Sequence, residues 1–192
     1  MKNVFNAIAK WISSVWWTVW STLRWRHAIR HNIGIAKEDR IDKFSDIGEL
    51  LKRLMKHFDY TEDGFDQLWD SITPPPQVYQ FYLDGVVKDD CDGFHSLVYH
   101  VLYNNSITCY LLSAVAYDGG HCILLFKYND LWHVIDYTRI YEGHKTAEEA
   151  INAYNEIYPT KYKTKPVAFN HLVGYDYEKG KFTWFTLNEI EK

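Results

Sequence analysis

The chain has 192 residues, of which 47% are hydrophobic and 17% aromatic, enough for one domain with a sizeable core and a short extension. Three cysteines are too few, and odd in number, for a disulfide framework. The formal net charge of −4 is unevenly distributed, because residues 1–37 hold six basic residues and no acidic one. Residues 38–192 therefore carry a net charge of −10, which argues against nucleic-acid binding by this part of the chain.

Residues 1–36 predict a separate, basic, helical arm. Five of the eight tryptophans lie here, and the uncharged run Trp11–Leu23 has thirteen residues. A membrane-spanning helix needs about 20 apolar residues, so this run is too short to cross a bilayer. Two interpretations stay open: a helix packed on its own domain or on a partner subunit, and an interfacial helix on a membrane surface. We therefore expect a cytoplasmic protein whose arm attaches it to a membrane or to a larger assembly.

Residues 37–192 are predicted to form one domain that begins with helices. Residues 38–58 place apolar side chains on one face of an amphipathic helix. A second helix is expected near Thr61–Ser71, where the triple proline at 74–76 ends it. A third short helix is expected at Gln77–Leu83, and it leads to the turn before Cys91.

The stretch around Cys91 predicts a turn that feeds a helix. Asp89, Asp90 and Asp92 can cap the orphan N–H groups of its first turn. The helix dipole favours a thiolate at Cys91, whereas the three aspartates oppose it by like-charge repulsion. A nearby base is therefore needed to make this cysteine reactive.

The second half of the chain predicts a mostly antiparallel sheet. Gly119-Gly120 is interpreted as a turn, and Cys109 and Cys122 fall in apolar strand runs that place them in the core. The expected strands, with one helix at 146–158, are Ser106–Tyr117, a run from His121, Leu131–Tyr137, Lys165–Val173 and Lys181–Leu187. Helices that lead into an antiparallel sheet define an α+β fold, here with a Cys-bearing core helix packed on the sheet.

His121 and Asp136 lie on consecutive predicted strands. His121 begins the first strand and Asp136 is near the end of the second, and these two ends are neighbours in an antiparallel hairpin. Cys91, His121 and Asp136 are therefore candidates for a thiol nucleophile, its base and the acid that orients the base.

Three further side chains are expected near this site. The backbone N–H of Cys91 is one donor for an oxyanion hole, and the side-chain amide of Gln77 or Gln80 is a candidate for the second. Trp132 is expected to line the site, where it would exclude water and strengthen the electrostatic interactions.

Zinc is the competing chemistry at Cys91. His95 lies four residues further along the predicted helix, so both side chains can face one metal, with His121 or His100 as a further ligand. No second close Cys/His pair completes a zinc pattern. The sequence therefore predicts neither a metal nor another cofactor.

Three ordered segments resemble the papain-like core of the transglutaminase-like cysteine peptidases. They are Asp90-Cys91-Asp92-Gly93-Phe94, then Gly120-His121, then Trp132 and Asp136. The resemblance covers roughly residues 60–140. It implies a cysteine at the start of a core helix, with the histidine and aspartate on adjacent antiparallel strands. The family often has glycine immediately before the Asp-Cys pair, where this chain has Asp89.

The resemblance implies a thiol-dependent hydrolase, a peptidase or amidase, that acts on a peptide or protein substrate through an acyl-enzyme. An amine in place of water as the acceptor would make it a transferase. The alternative is a catalytically silent module of the same fold, which serves a structural or docking role through the tryptophan-rich arm.

Overall fold

The computed structural model describes residues 19, 42–61, 72–116, 119–162, 169 and 171–192. The predicted arm, apart from Val19, and the predicted helix near Thr61–Ser71, apart from Thr61, lie outside these residues. None of the helices within the described ranges is long and apolar enough to cross a membrane.

Between residues 42 and 116 the described part of the chain has three helices before the main sheet: α1 (Ile47–Met55), α2 (Pro75–Asp84) and α3 (Cys91–Asn104). Helix α1 begins after Asp46, whose side chain accepts a hydrogen bond from the Glu49 backbone N–H at 2.7 Å. The prediction of one helix over 38–58 was wrong in its limits. Residues 42–45 are not helical, and the chain leaves the helix after residue 55.

Two short strands frame the approach to Cys91. After α1 the chain forms β1 (Phe58–Tyr60), which pairs in parallel with β2 (Val87–Asp89). Helix α2 lies between them and confirms the predicted helix at 77–83. It begins with Pro75 and Pro76, because a proline in the first turn loses no helical hydrogen bond.

Six strands form the main sheet, and every neighbouring pair is antiparallel. The described strands are β3 (Cys109–Ala116), β4 (Gly119–Tyr128), β5 (Leu131–Asp136), β6 (Arg139–His144), β7 (His171–Asp176) and β8 (Lys181–Phe185). Their spatial order is β6-β5-β4-β3-β7-β8. The mixed α+β class with a mostly antiparallel sheet is confirmed.

The structure corrects several element predictions in this half of the chain: β6 was not predicted, and the strand expected at Lys165–Val173 is observed at His171–Asp176. Gly119 and Gly120 are paired residues of β4, opposite Ala116 and Val115, and do not form the predicted turn. The last strand stops at Phe185, because the next residue caps the final helix α5 (Leu187–Ile190).

Helices cover both faces of the sheet. Helix α3 packs on one face, against alternate strand residues such as Leu111, Leu124 and Ile135, and α1 and α2 pack on α3 in the same core. Helix α4 (Ala147–Tyr162) packs on the other face, against residues such as Ile123 and Val134. This arrangement brings the N-terminus of α3 and the inner side of α4 to the end of the sheet where β4 begins and β5 stops.

Candidate active site

Cys91 is the first residue of α3, and its side chain is partly exposed. The helix is capped by Asp90, whose Oδ1 accepts the backbone N–H of Asp92 at 3.0 Å. The sulfur of Cys91 lies beside strand β4, since the backbone N–H of Cys122 donates to Sγ at 3.4 Å. The thiol is therefore adjacent to the residue that follows His121, and both the helix end and a strand amide present positive dipoles to it.

His121 and Asp136 are in direct contact. The distance from His121 Nε2 to Asp136 Oδ1 is 3.0 Å, and their side chains are 10% and 0% exposed. The register of the β4–β5 hairpin produces this contact, because Leu124 pairs with Ile135 and the two residues lie beyond that pair. Because Nε2 contacts Asp136, Nδ1 is the ring nitrogen that could act as a base.

The second oxygen of the Asp136 carboxylate is held from the opposite layer. The hydroxyl of Tyr154, on α4, donates to Asp136 Oδ2 at 2.9 Å, and both residues are buried. A buried carboxylate is costly unless its oxygens accept hydrogen bonds, so this bond stabilises Asp136 next to His121.

Aromatic rings surround the imidazole of His121. Tyr158 stacks on it with a centroid separation of 5.5 Å, and Tyr137 and Phe169 lie at 6.0 and 6.1 Å. These rings restrict the imidazole and reduce the access of water to it, which strengthens its interaction with Asp136.

The turn before Cys91 is organised by Thr73. Its hydroxyl donates to Asp89 Oδ2 at 2.7 Å, and its backbone N–H donates to Asp92 Oδ2 at 3.1 Å. Asp89 ends a strand and its φ is not positive, so the position before the Asp-Cys pair accommodates an aspartate as readily as a glycine.

Gly93 has a specific steric role in this turn. The side chain of Asp89 lies directly against its Cα, and a Cβ at position 93 would overlap that side chain. The spacing from Asp89 to Gly93 therefore reflects close packing of the acidic turn on the first turn of α3.

The aspartates oppose a thiolate less than the sequence suggests. Burial raises the pKa of Asp92 well above its usual range, and the hydrogen bond with Asp90 and the negative charge of Asp89 add to this rise. A higher pKa means that Asp92 carries less negative charge at a given pH, so it opposes a thiolate at Cys91 less than a solvent-exposed aspartate would.

His95 is not arranged as a metal ligand. Its Nδ1 lies 2.6 Å from the backbone oxygen of Cys91, and its Nε2 accepts the backbone N–H of Tyr137 at 3.0 Å. His100 contacts the Tyr177 hydroxyl through Nδ1 at 3.1 Å, two and a half turns further along α3. The zinc ligands considered from sequence are therefore committed to other partners or point elsewhere.

Within the described ranges, one group of three potential ligands has atoms within 4.8 Å of one another, namely Asp89, Asp90 and Asp92. Their hydrogen bonds to Thr73 and to the first turn of α3 account for this clustering.

The three supporting residues expected from sequence are Trp132, Gln80 and Gln77. Trp132 is buried in the core on the α4 face, where it packs beside Tyr110, four residues before Asp136 along β5. Gln80 donates to Asp84 within α2 at 2.9 Å. Gln77 is buried on the same helix, and its side-chain oxygen has no hydrogen-bond partner within the described part of the chain.

Sequence reasoning missed Tyr154, Thr73 and the structural role of His95. Tyr154 carried only a helical-periodicity signal, which marks a core position and nothing more. His95 at position i+4 from the cysteine was noticed, but its two backbone partners depend on where Tyr137 lies in space.

A scan against protein-family models and a search of curated proteins find no match for this chain.

Proposed function

We propose that the protein is a thiol-dependent hydrolase, a peptidase or amidase of the transglutaminase-like kind, with Cys91, His121 and Asp136 as its triad. The observation that carries this proposal is the 3.0 Å contact between His121 and a fully buried Asp136, beside a cysteine at a helix N-terminus. A nucleophile, a base and an orienting acid are the parts that acyl transfer requires.

The proposed reaction begins with transfer of the Cys91 thiol proton to His121 Nδ1 as the sulfur attacks the carbonyl carbon of the substrate. The tetrahedral intermediate collapses as His121 gives the proton to the leaving amine, which leaves a thioester on Cys91. Water then attacks the thioester as His121 takes its proton, and the second tetrahedral intermediate releases the acid and the Cys91 thiolate, which recovers the proton from His121. Throughout, Nε2–H donates to Asp136, which keeps the imidazole in one tautomer and stabilises its protonated form.

The negative charge on the tetrahedral oxygen needs hydrogen-bond donors. The backbone N–H of Cys91 is in the first turn of α3, where amides point out of the helix end, and it is the proposed first donor. Gln77 remains the candidate for a second donor from α2.

The substrate class in this proposal is a peptide or protein amide, and no cofactor takes part. We also keep from the sequence the proposal that the arm at 1–36 attaches the protein to a membrane surface or an assembly, because its basic charge and tryptophans are distinctive.

The first test is native-state alkylation with iodoacetamide, followed by mass spectrometry of each cysteine. Cys91 should react first, because Cys109 and Cys122 are buried and burial strongly raises the pKa of Cys109. Cys91→Ala should abolish hydrolysis of a fluorogenic peptide library, and Cys109→Ser serves as the control that retains it. Equal labelling of the three cysteines, or hydrolysis that survives Cys91→Ala, would favour the catalytically silent alternative.

A further inference from the structure

The turn that follows Asp136 has an unfavourable backbone. Asp136 pairs with Arg139, so Tyr137 and Thr138 form a two-residue hairpin loop. Tyr137 has a φ of 52°, and it alone of these two loop residues has a positive φ. A positive φ at the first loop position is the type II′ requirement, which glycine normally meets, so a tyrosine there adopts a conformation that side-chain-bearing residues rarely take. Something must therefore hold this turn in place.

His95 makes the contact that holds it. The imidazole accepts a hydrogen bond from the backbone N–H of Tyr137 through Nε2. The ring proton must therefore be on Nδ1, which donates a hydrogen bond to the Cys91 carbonyl. The side chain is wholly buried, and its ring lies 5.3 Å from that of Tyr137. Burial lowers the pKa of His95 to about 4, which keeps Nε2 unprotonated and able to accept at neutral pH.

The two backbone partners belong to the two halves of the proposed triad. Cys91 opens α3, and the Tyr137 amide is the peptide unit directly after Asp136. One imidazole thus connects the backbone of the nucleophile to the backbone of the acid, and it touches no surface that a substrate can reach.

We infer that His95 is a positioning residue for this site: it fixes the Tyr137 turn and thereby holds Asp136, and through it His121, in register with Cys91. This inference rests on the proposed function, because the register matters for catalysis only if the triad is used. Loss of the hydrogen bond between His95 and the Tyr137 turn should lower kcat and leave KM unchanged, since His95 does not contact substrate.

Two substitutions in the full-length protein separate the two hydrogen bonds. His95→Gln places an amide oxygen near the position of Nε2 and can keep the bond to Tyr137. His95→Asn reaches only the position of Nδ1 and keeps the bond to the Cys91 carbonyl. We expect kcat to fall about tenfold in His95→Asn, as for one lost buried hydrogen bond, and to stay within about threefold of wild type in His95→Gln.

His100→Gln is the matched control. His100 is the other histidine of α3, and its partial burial also lowers its pKa to about 4, but its partner Tyr177 is remote from the triad. This variant should lose stability while it retains the wild-type kcat. A loss of kcat equal to that of His95→Asn would mean that any damage to α3 impairs the site, and would overturn the inference.

A readout that does not need activity is the downfield proton resonance of His121 Nε2–H, hydrogen-bonded to Asp136 and assigned by its loss in Asp136→Asn. It should be retained in His95→Gln and shifted or broadened in His95→Asn. A wild-type protein that hydrolyses no peptide would end the proposed function, whereas this resonance would still decide the role of His95. Wild-type kcat and an unchanged resonance in His95→Asn, or unfolding of both single-bond variants, would overturn the positioning role.

Discussion

Strand β5 is bounded by two turns of two residues each, and they differ in how well their residue types suit the backbone conformation. At its start, Asn129 and Asp130 have φ values of 51° and 60°, as a type I′ hairpin turn requires, and both residue types tolerate this conformation. At its end, Tyr137 takes a positive φ without the residue chemistry that favours it.

The difference between the turns lies in what supports them. The turn at 129–130 is exposed, and its own sequence stabilises it. The turn at 137–138 is supported by the His95 hydrogen bond and by stacking of Tyr137 on Phe94 at 5.7 Å. Unfavourable backbone tends to be kept where it serves a site and where the surroundings determine it. In this molecule it occurs directly beside the proposed catalytic acid.

The largest expected effect is a difference in kcat between substitutions of the two aspartates near these turns, Asp136 and Asp130. Asp136→Asn should lower kcat by about 10³- to 10⁴-fold, because the amide cannot orient and stabilise a protonated His121 as a carboxylate does. Asp130→Asn, the matched change at the other turn, should leave kcat within about twofold. Steady-state hydrolysis and circular dichroism of both variants provide the measurement, and comparable activities of the two folded variants would contradict the proposed role of Asp136.

The next effect concerns pH. The pKa of His95 is 6.5 in the unfolded chain and about 4 in the folded protein, so the unfolded chain binds more protons between these values. Stability should therefore fall as the pH drops from about 6.5 to about 4, by on the order of 3 kcal/mol from this group. The charged or titratable groups that face it are His121, Asp136, Asp90 and Cys91.

Thermal unfolding across this pH range measures the effect. The loss of stability on acidification should be smaller in His95→Gln and in His100→Gln than in wild type, because each removes one histidine whose pKa is lowered in the folded protein. The raised pKa of Asp92 acts in the opposite direction, since its proton is lost as the pH rises, but it is common to all three proteins. An unchanged pH slope in His95→Gln would mean that this histidine titrates normally.

A smaller loss is expected at Tyr154, which supports Asp136 from the other side of the sheet. Tyr154→Phe removes the donor to Oδ2 and leaves a buried carboxylate oxygen without it, so kcat should fall about tenfold with little change in KM. Tyr103→Phe, an exposed tyrosine of α3, is the control. Equal kcat values for the two variants would show that Asp136 does not depend on this hydrogen bond.

The smallest effect tests the turn that is remote from the site. Asn129→Ala puts a residue with no local hydrogen-bonding group into the left-handed conformation, which should cost about 1 kcal/mol of stability. Activity should be unchanged, because the turn lies at the opposite end of β5 from Asp136. Urea denaturation measures the stability change, and a fall in kcat would show that the whole strand, and not its end alone, sets the site.

Much of the candidate site followed from local sequence. Aspartates before Cys91 predicted the start of a helix, because capping depends on residues within one turn of each other. The adjacent positions of His121 and Asp136 followed from an antiparallel hairpin, whose register is set by a short turn and a period of two. These features needed only contacts between neighbours in the chain or in one hairpin.

Tertiary structure decided the support of those residues. Tyr154 reaches Asp136 only because α4 packs across the sheet, and Thr73 reaches the Cys91 turn only because α2 packs on α3. Gly119 and Gly120 are in a strand because they pair with Ala116 and Val115 of β3. This pairing outweighs the local preference of glycine for turns. A sequence pattern reports which face of an element is buried, but the partner of a buried polar group is set by packing between elements that are far apart in the chain.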